Sequence, residues 1–505
     1  MYHSKNCKKM KKNILILSIL ASALSFTSCS DDDIDQRPYD KIEISDYYKT
    51  ESDFTTALNG VYQGFVQVGY YYGPSNASDI ISIGDIMADN LVLNQQGRGA
   101  AQRAHTWSYN SNSVPTDIYS TSYNIISRAN LVLANVDNLQ DGDFKNNIIA
   151  QAKAVRALAH FEVARTYAQI PTQATDASTT VGIAYADKYD PKAELKRDAT
   201  IEETYTKIIA DLEAAIPYLE NSANKKAVIN QFSAKALLGK VYLYKGDYKK
   251  VIEYTQPVVD AVAPAYRNEI ADLWTSNNSE GVLFEIPFLN NDDPTIGTSF
   301  SQGSTNEDII IEYSVDKAFY NLYDASTEPE RVKAYFKIFT PDNDKNQATI
   351  AVNKYINGKV KLGLNNGRYL RVEEAILNLA EAQYLSGDQG SALTTLNRLR
   401  DARYSSYKGA ETGIAIFDAI QTERRKELAF ENGDRWFTLK RLQGVSGISS
   451  DYKQGIQRSG NGYLANGSGI PSSVQALKPD AREWQLPIPQ GVLNKNKNMT
   501  QTPGY

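Results

Sequence analysis

Apolar positions recur along most of this chain with the period of a helix that packs on one side. Between Asp53 and Tyr62 they fall at Phe54, Leu58, Val61 and Tyr62, which share one face. Asn124 to Val136 repeats the pattern with Ile125, Ala129, Val132 and Val136. Ala150 to Ile170 extends it through Ala154, Leu158, Phe161 and Ala168, and Pro171 supplies the stop. Ile201 to Leu219 is a fourth helical segment, interrupted near its end by Pro217. Leu238-Gly239-Lys240-Val241-Tyr242, followed by Gly246-Asp247-Tyr248, has the form of a tetratricopeptide hairpin. There a glycine admits a close helix contact, and Gly-Asp makes the turn. Leu379 to Tyr384, then Gly387-Asp388, Ala392 and Leu396, echo it. The two turns lie far more than one repeat apart, so the expectation is one helical scaffold with scattered repeat units. Pro257 to Gly367 breaks the period. Gly281 to Ile286 reads as a short strand, and Asn, Asp, Gly and Ser dominate 290–306, 341–346 and 443–478.

The amino terminus has a different pattern. Lys5, Lys8, Lys9, Lys11 and Lys12 precede an apolar run from Ile14 to Phe26, too short to span a bilayer, which reads as a secretory signal. Met10-Lys11-Lys12 alone also opens a signal of normal form. Phe26-Thr27-Ser28-Cys29 resembles a bacterial lipobox, with Phe26 where Leu is usual, so Cys29 is the expected lipidation site. Ser30-Asp31-Asp32-Asp33 follows as an acidic tether that also resembles the surface-export signal of Bacteroidetes lipoproteins. The expected organisation is a signal peptide over 1–28, a tether over 29–45 and one domain over 46–505. Its scaffold would lie mainly in 46–256 and 368–445, with loop-rich parts at 257–367 and 443–485.

Composition narrows the function. Of 505 residues, 42% are hydrophobic and 22% charged, enough for a packed core. The formal net charge is −5, and loss of the five signal lysines makes the mature chain more acidic still. No nucleic-acid partner is expected, and membrane attachment must come from acyl chains at about 0.8 kcal/mol per buried CH₂. With 3 His and 2 Cys, neither a His-based zinc site nor a disulfide framework can be assembled. His160 reads as a packed helix residue, and His105 has no nucleophile elbow to serve. Asp342, Asp344 and Asn346 copy the start of a calcium loop but lack its later glycine and glutamate. No cofactor is expected. Glu423, Glu427 and Glu431 share a helical face with Arg424, Arg425 and Lys426 interleaved, the pattern of an ion-paired helix rather than of opposed catalytic acids.

The feature left over is aromatic. The chain has 33 Tyr, and most serve helix packing, but Tyr70, Tyr71 and Tyr72 fall outside any helical period. Asn94, Arg98, Arg103, His105 and Trp107 follow in a glycine-containing stretch. Aromatic rings stack on the apolar face of a sugar while Asn and Arg bond its hydroxyls, so these residues are candidate ligand contacts. The Tyr70–Tyr72 run is open to either surface function or core filling.

Arg371-Val372-Glu373-Glu374 with Leu377 and Ala380-Glu381-Ala382 resembles a helix of the SusD/RagB family. Glu423-Arg424-Arg425-Lys426-Glu427-Leu428-Ala429-Phe430-Glu431, with Arg435-Trp436 and Leu439-Lys440-Arg441, is similar to that family's hallmark segment. Leu486-Pro487-Ile488-Pro489 and Gln501-Thr502-Pro503-Gly504-Tyr505 match its closing motifs, with Thr502 in place of Asn. Arg128-Ala129-Asn130 and Ala152 to Phe161 also fit, so the resemblance covers nearly all of the mature chain. It implies a mainly α fold of about four tetratricopeptide-like helix pairs with a loop-rich part packed on it. It implies a non-catalytic outer-membrane lipoprotein that captures oligosaccharides and delivers them to a SusC-like TonB-dependent transporter. The alternative is a peptide-capturing protein of the RagB type. The same resemblance places ligand aromatics in an early loop region and the irregular middle. The candidate ligand-binding set is therefore Tyr70, Tyr71, Tyr72, Asn94, Arg98, Trp107 and Phe300.

Overall fold

The computed structural model describes residues 44–72, 79–275, 278–288, 290, 293–303, 309–341, 345–358, 360–471 and 475–505. Cys29, the acidic tether, Asp342 and Asp344 lie outside the described residues. The chain divides into a short unit ending at Lys49, in which Ile44–Tyr47 forms a single helical turn, and a large unit from Thr50 to Tyr505.

The longer helices of the large unit are α1 (Glu51–Tyr62), α2 (Asp79–Met87), α3 (Ile118–Asn135), α4 (Asp143–Tyr167), α5 (Ile201–Ala215) and α6 (Gln231–Lys245). They continue as α7 (Tyr248–Ala261), α8 (Val372–Leu385), α9 (Gln389–Asp401), α10 (Ile414–Glu427) and α11 (Asp434–Leu442). Helix α1 buries Phe54, Leu58, Val61 and Tyr62, the face that the spacing marks, and a Thr50–Asp53 capping box starts it. Successive neighbours pack side by side: α3 on α4, α4 on α5, α5 on α6, α6 on α7, and α8 on α7 and α9.

The two Gly-Asp turns are built alike. Gly246 (φ 83°) and Gly387 (φ 91°) take the left-handed conformation that ends the preceding helix. Asp247 and Asp388 then accept backbone N–H bonds from Lys250 and Ser391, capping the next helix. Gly239 is where α6 meets α7: a Cβ there would lie 2.1 Å from the Thr255 hydroxyl. Pro257 does not end the helix as its sequence position suggests. It sits inside α7, which runs on to Ala261. The carbonyl its missing N–H leaves free is that of exposed Glu253, which water can satisfy.

The loop-rich part is tied down by short antiparallel ladders. Strand β1 (Leu91–Leu93) pairs far along the chain with Tyr313–Val315, in the register Leu91↔Val315. Strand Val282–Ile286, expected from the sequence, pairs with Gly367–Arg371, and Phe336–Phe339 pairs with Thr349–Val352. Thr502 takes up the closing motif: its hydroxyl lies 3.0 Å from the Leu486 carbonyl and accepts from Arg197.

Glu423, Glu427 and Glu431 are ion-paired, as expected, but their partners are distant rather than the interleaved Arg424, Arg425 and Lys426. Helix α10 ends at Glu427, and Glu431 lies beyond it in a turn where Phe430 (φ 65°) and Asn432 (φ 49°) are left-handed. Glu427 accepts from Arg403 at 2.8 Å on both oxygens, from Arg371 at 3.1 Å and from Arg331 at 3.2 Å. Glu431 is gripped by Arg371 at 2.8 Å through two nitrogens, and Glu423 by Arg331 at 2.6 Å. The Lys354 ammonium explains the strained turn. It donates to the carbonyls of Glu427 (3.0 Å) and Ala429 (2.8 Å) and to Glu431 (2.6 Å), with the Tyr335 ring 3.8 Å away. All these groups are buried, so the segment is an internal clamp joining α10 to the strand Gly367–Arg371 and to Arg403, just past the end of α9.

Candidate functional site

Helix α2 is buried along its whole length although it carries two acids, Asp79 and Asp85. It can approach α11 closely because glycines meet: a Cβ on Gly84 would lie 2.3 Å from the Gly433 Cα. Asp85 accepts from the Phe430 N–H at 3.1 Å and from Asn90 at 3.0 Å, and burial pushes its carboxyl up to about 7.

The other side of α2 forms one wall of an open cleft of about 500 Å³. Asp79, Ile83 and Ile86 contribute from the helix, Arg98 to Ala104 from a loop that ends in the helical turn Gln102–His105, Ser113 to Pro115 from a second loop, and Ser299, Ser301, Glu312 and Tyr313 from the irregular middle. The β1 ladder brings these distant parts together, and just beyond it the Asn94 N–H donates to the Glu312 carbonyl at 2.9 Å. Glu312 is almost fully buried and accepts Arg98 Nε at 2.9 Å, while the Arg98 side chain stays 50% exposed. Tyr313 donates its hydroxyl to the Ala100 carbonyl at 2.6 Å, fixing the loop from the other end. Within that loop Ala101 (φ 54°) is left-handed, and Trp107 (φ 51°) is so just after it, at about 1–2 kcal/mol each. Backbone strain of this kind collects where a loop is held for a purpose.

Asp79 accepts the Thr116 hydroxyl at 2.9 Å and the Asp117 N–H at 3.0 Å. Burial raises its carboxyl to about 7, and those two hydrogen bonds only partly offset the rise. Between pH 3.8 and about 7 the folded chain therefore holds a proton that the unfolded chain has released. Its contribution to stability falls as pH rises through that window. Asp79→Asn keeps an acceptor for both donors and removes the titration. In melting scans across that range the difference between parent and variant should shift in the variant's favour as pH rises; a pH-independent difference would refute this.

Of the seven residues expected to touch ligand, the structure places Arg98 in the cleft and leaves Tyr72 38% exposed but outside the cleft lining. The other five are corrected. Tyr70 and Tyr71 are fully buried, because the bridge Val68↔Tyr72 folds the run into a tight turn that sends both rings inward. Tyr70 meets Phe65 edge-on at 5.1 Å and bonds Ser122 at 3.0 Å; Tyr71 packs on Phe288 at 5.9 Å. Asn94 is buried and accepts the Gln96 N–H at 2.9 Å, closing the turn after β1. Trp107 is buried, donating to the Met87 carbonyl at 2.9 Å under the Arg458 guanidinium. Phe300 is buried edge-on to Phe430 at 5.5 Å. Sequence reasoning missed Asp79, Ser82, Ser113 and Glu312 as lining residues. Two acids set into the apolar run Asp79–Met87 are the available signal for the first of them.

His160 is a packed residue, stacked on Tyr185 at 3.8 Å. His105 is buried against the Ile86 carbonyl, and burial, aided by Arg458, lowers it to about 3. Among the described residues no group of His, Cys, Asp and Glu is arranged to hold a metal ion. No described helix is long and apolar enough to cross a membrane.

Two family models cover the chain: one described as "SusD family" over residues 286–505, the other as "Starch-binding associating with outer membrane" over residues 34–243. The chain belongs to the SusD/RagB family. The SusD-like protein P2 of Formosa agariphila is 25% identical over 99% of this chain and 100% of its own length. A Bacteroides vulgatus SusD superfamily structure covers 90% of this chain and 99% of that one, at 21% identity and a TM-score of 0.74. A structure described as surface glycan-binding protein A of Bacteroides uniformis matches at 19% identity and a TM-score of 0.69, over 90% of this chain and 99% of that one. The fold of this SusD/RagB member is thus the family's mainly α scaffold, and the family is non-catalytic. The side-chain chemistry agrees: the acids of the hallmark segment are bound to arginine and lysine, not held apart across a cleft.

Proposed function

We propose that this SusD/RagB protein is a lipoprotein anchored at the outer-membrane surface through Cys29. It captures an oligosaccharide in the cleft between α2 and the 98–104 loop and delivers it to a SusC-like TonB-dependent transporter. The observation that carries the reading is the cleft. Its volume of about 500 Å³ falls within the ~300–1,000 Å³ of small-ligand sites. Apolar Ile83 and Ile86 lie beside Arg98, Gln102, Arg103 and Ser113, which suits a ligand with an apolar ring face and a rim of hydroxyls. The family description, which names starch binding and the outer membrane, supports it.

The test is to fill the cleft. Ser113 stands half-buried on its rim, so Ser113→Trp inserts an indole into the opening. On a glycan array, protein beginning after Cys29 should retain a defined set of oligosaccharides, and Ser113→Trp should lose at least about tenfold in affinity with its melting unchanged. Retention of the same glycans by Ser113→Trp would move the site elsewhere. Competition by mixed peptides in place of glycans would favour peptide capture.

A further inference from the structure

The polar lining of the cleft is one-sided. Both acids are buried and engaged: Glu312 by Arg98 Nε at 2.9 Å and the Ala100 N–H at 3.4 Å, Asp79 through one oxygen by Thr116 and Asp117, with burial favouring its neutral form. The donors are in the opposite condition. Arg98 spends its Nε edge on Glu312 and keeps a half-exposed side chain, so its Nη groups remain for a ligand. Arg103 lines the same cleft, is exposed, and makes no ion pair among the described residues. The lining aromatic, Tyr313, is buried with its hydroxyl tied to Ala100, and offers no open ring face. Stacking, on which recognition of uncharged sugars leans, therefore has little to use here.

Two guanidinium groups without outward-facing acids select for negative charge on the ligand. A guanidinium fork matches a carboxylate or sulfate with two parallel hydrogen bonds, and Glu312 holds the fork of Arg98 in one orientation before ligand arrives. The chain as a whole is acidic, at −5, so no general attraction for anions exists and the selection is local to these two side chains. We propose that the cleft recognises acidic oligosaccharides, carrying uronate carboxylates or sulfate esters, through Arg98 and Arg103. This rests on the glycan-capture reading and names the class of glycan.

The experiment is an array of oligogalacturonate, oligoglucuronate and sulfated galactan fragments, printed beside their methyl-esterified and desulfated counterparts. Binding to an acidic form, lost about tenfold or more when its charge is masked and weakened by added salt, is the expected result. The uronate and sulfate arms show which group the ligand carries. Arg103→Gln, a change at an exposed side chain, should weaken the acidic probe about tenfold while circular dichroism melting stays constant. Equal retention of charged and masked forms overturns this inference and leaves glycan capture standing. A folded protein that retains no glycan on the array overturns both.

Discussion

Glu427→Gln should destabilise the protein by about 3–5 kcal/mol, measured by urea unfolding, although it barely changes the shape or volume of the side chain. The carboxylate is fully buried and accepts from Arg403, Arg371 and Arg331. Burial alone would raise its pKa, but the Arg403, Arg371 and Arg331 charges more than reverse that and hold it well below the usual carboxylate range. An amide keeps one acceptor oxygen where the carboxylate has two, and it leaves three guanidinium groups short of a counter-charge in a dry interior. The same depression predicts the acid side of the stability profile. The contribution of Glu427 is complete above its ordinary value of 4.5 and is surrendered as pH falls towards its folded value. A loss under about 1 kcal/mol would show that the clamp does not hold α10 to the strand Gly367–Arg371.

Trp107→Ala should cost a similar ~3–5 kcal/mol, as expected for emptying a buried indole site. The ring is buried, its N–H donates to the Met87 carbonyl at 2.9 Å, and Arg458 covers its face at 4.2 Å while donating to the His105 carbonyl at 2.8 Å. Truncation opens a cavity, leaves the Met87 carbonyl only a long 3.4 Å bond from Arg458, and frees that half-buried guanidinium from its π partner. A residue stacking on sugar would behave the other way, losing affinity at constant stability. Tyr72→Ala, at an exposed ring, is the comparison and should change stability by no more than about 0.5 kcal/mol. An unchanged unfolding midpoint for Trp107→Ala would refute its packing role.

The Tyr70–Tyr72 run marks where legibility of the chain stops. Three adjacent tyrosines outside a helical period announce something other than a helix face, and the structure agrees to that extent. Which rings face water depends on the Val68↔Tyr72 bridge and on Phe65, Phe288 and Ser122, most of them in other parts of the chain. A tight turn can present its side chains either way, and only the packing partners choose. Arg98, by contrast, is legible from its chemistry, since a long charged side chain in a loop keeps its head near water.

The amino-acid sequence by itself determined the helices of the scaffold hairpins, though not α2, together with the two Gly-Asp turns, the strand at Val282–Ile286 and, through the hallmark segment and closing motifs, the family. These depend on interactions a few residues apart: apolar period, caps such as Asp247 and Asp388, and glycines at φ > 0°. Tertiary structure alone decided the cleft and the clamp. Arg98 meets Glu312 because β1 pairs with Tyr313–Val315, and Glu427 meets Arg371 because a strand ends where α8 begins. Period and charge tell which side of an element must be buried or paired. They carry no information on which distant element will do it, because that choice minimises the free energy of the whole packed chain.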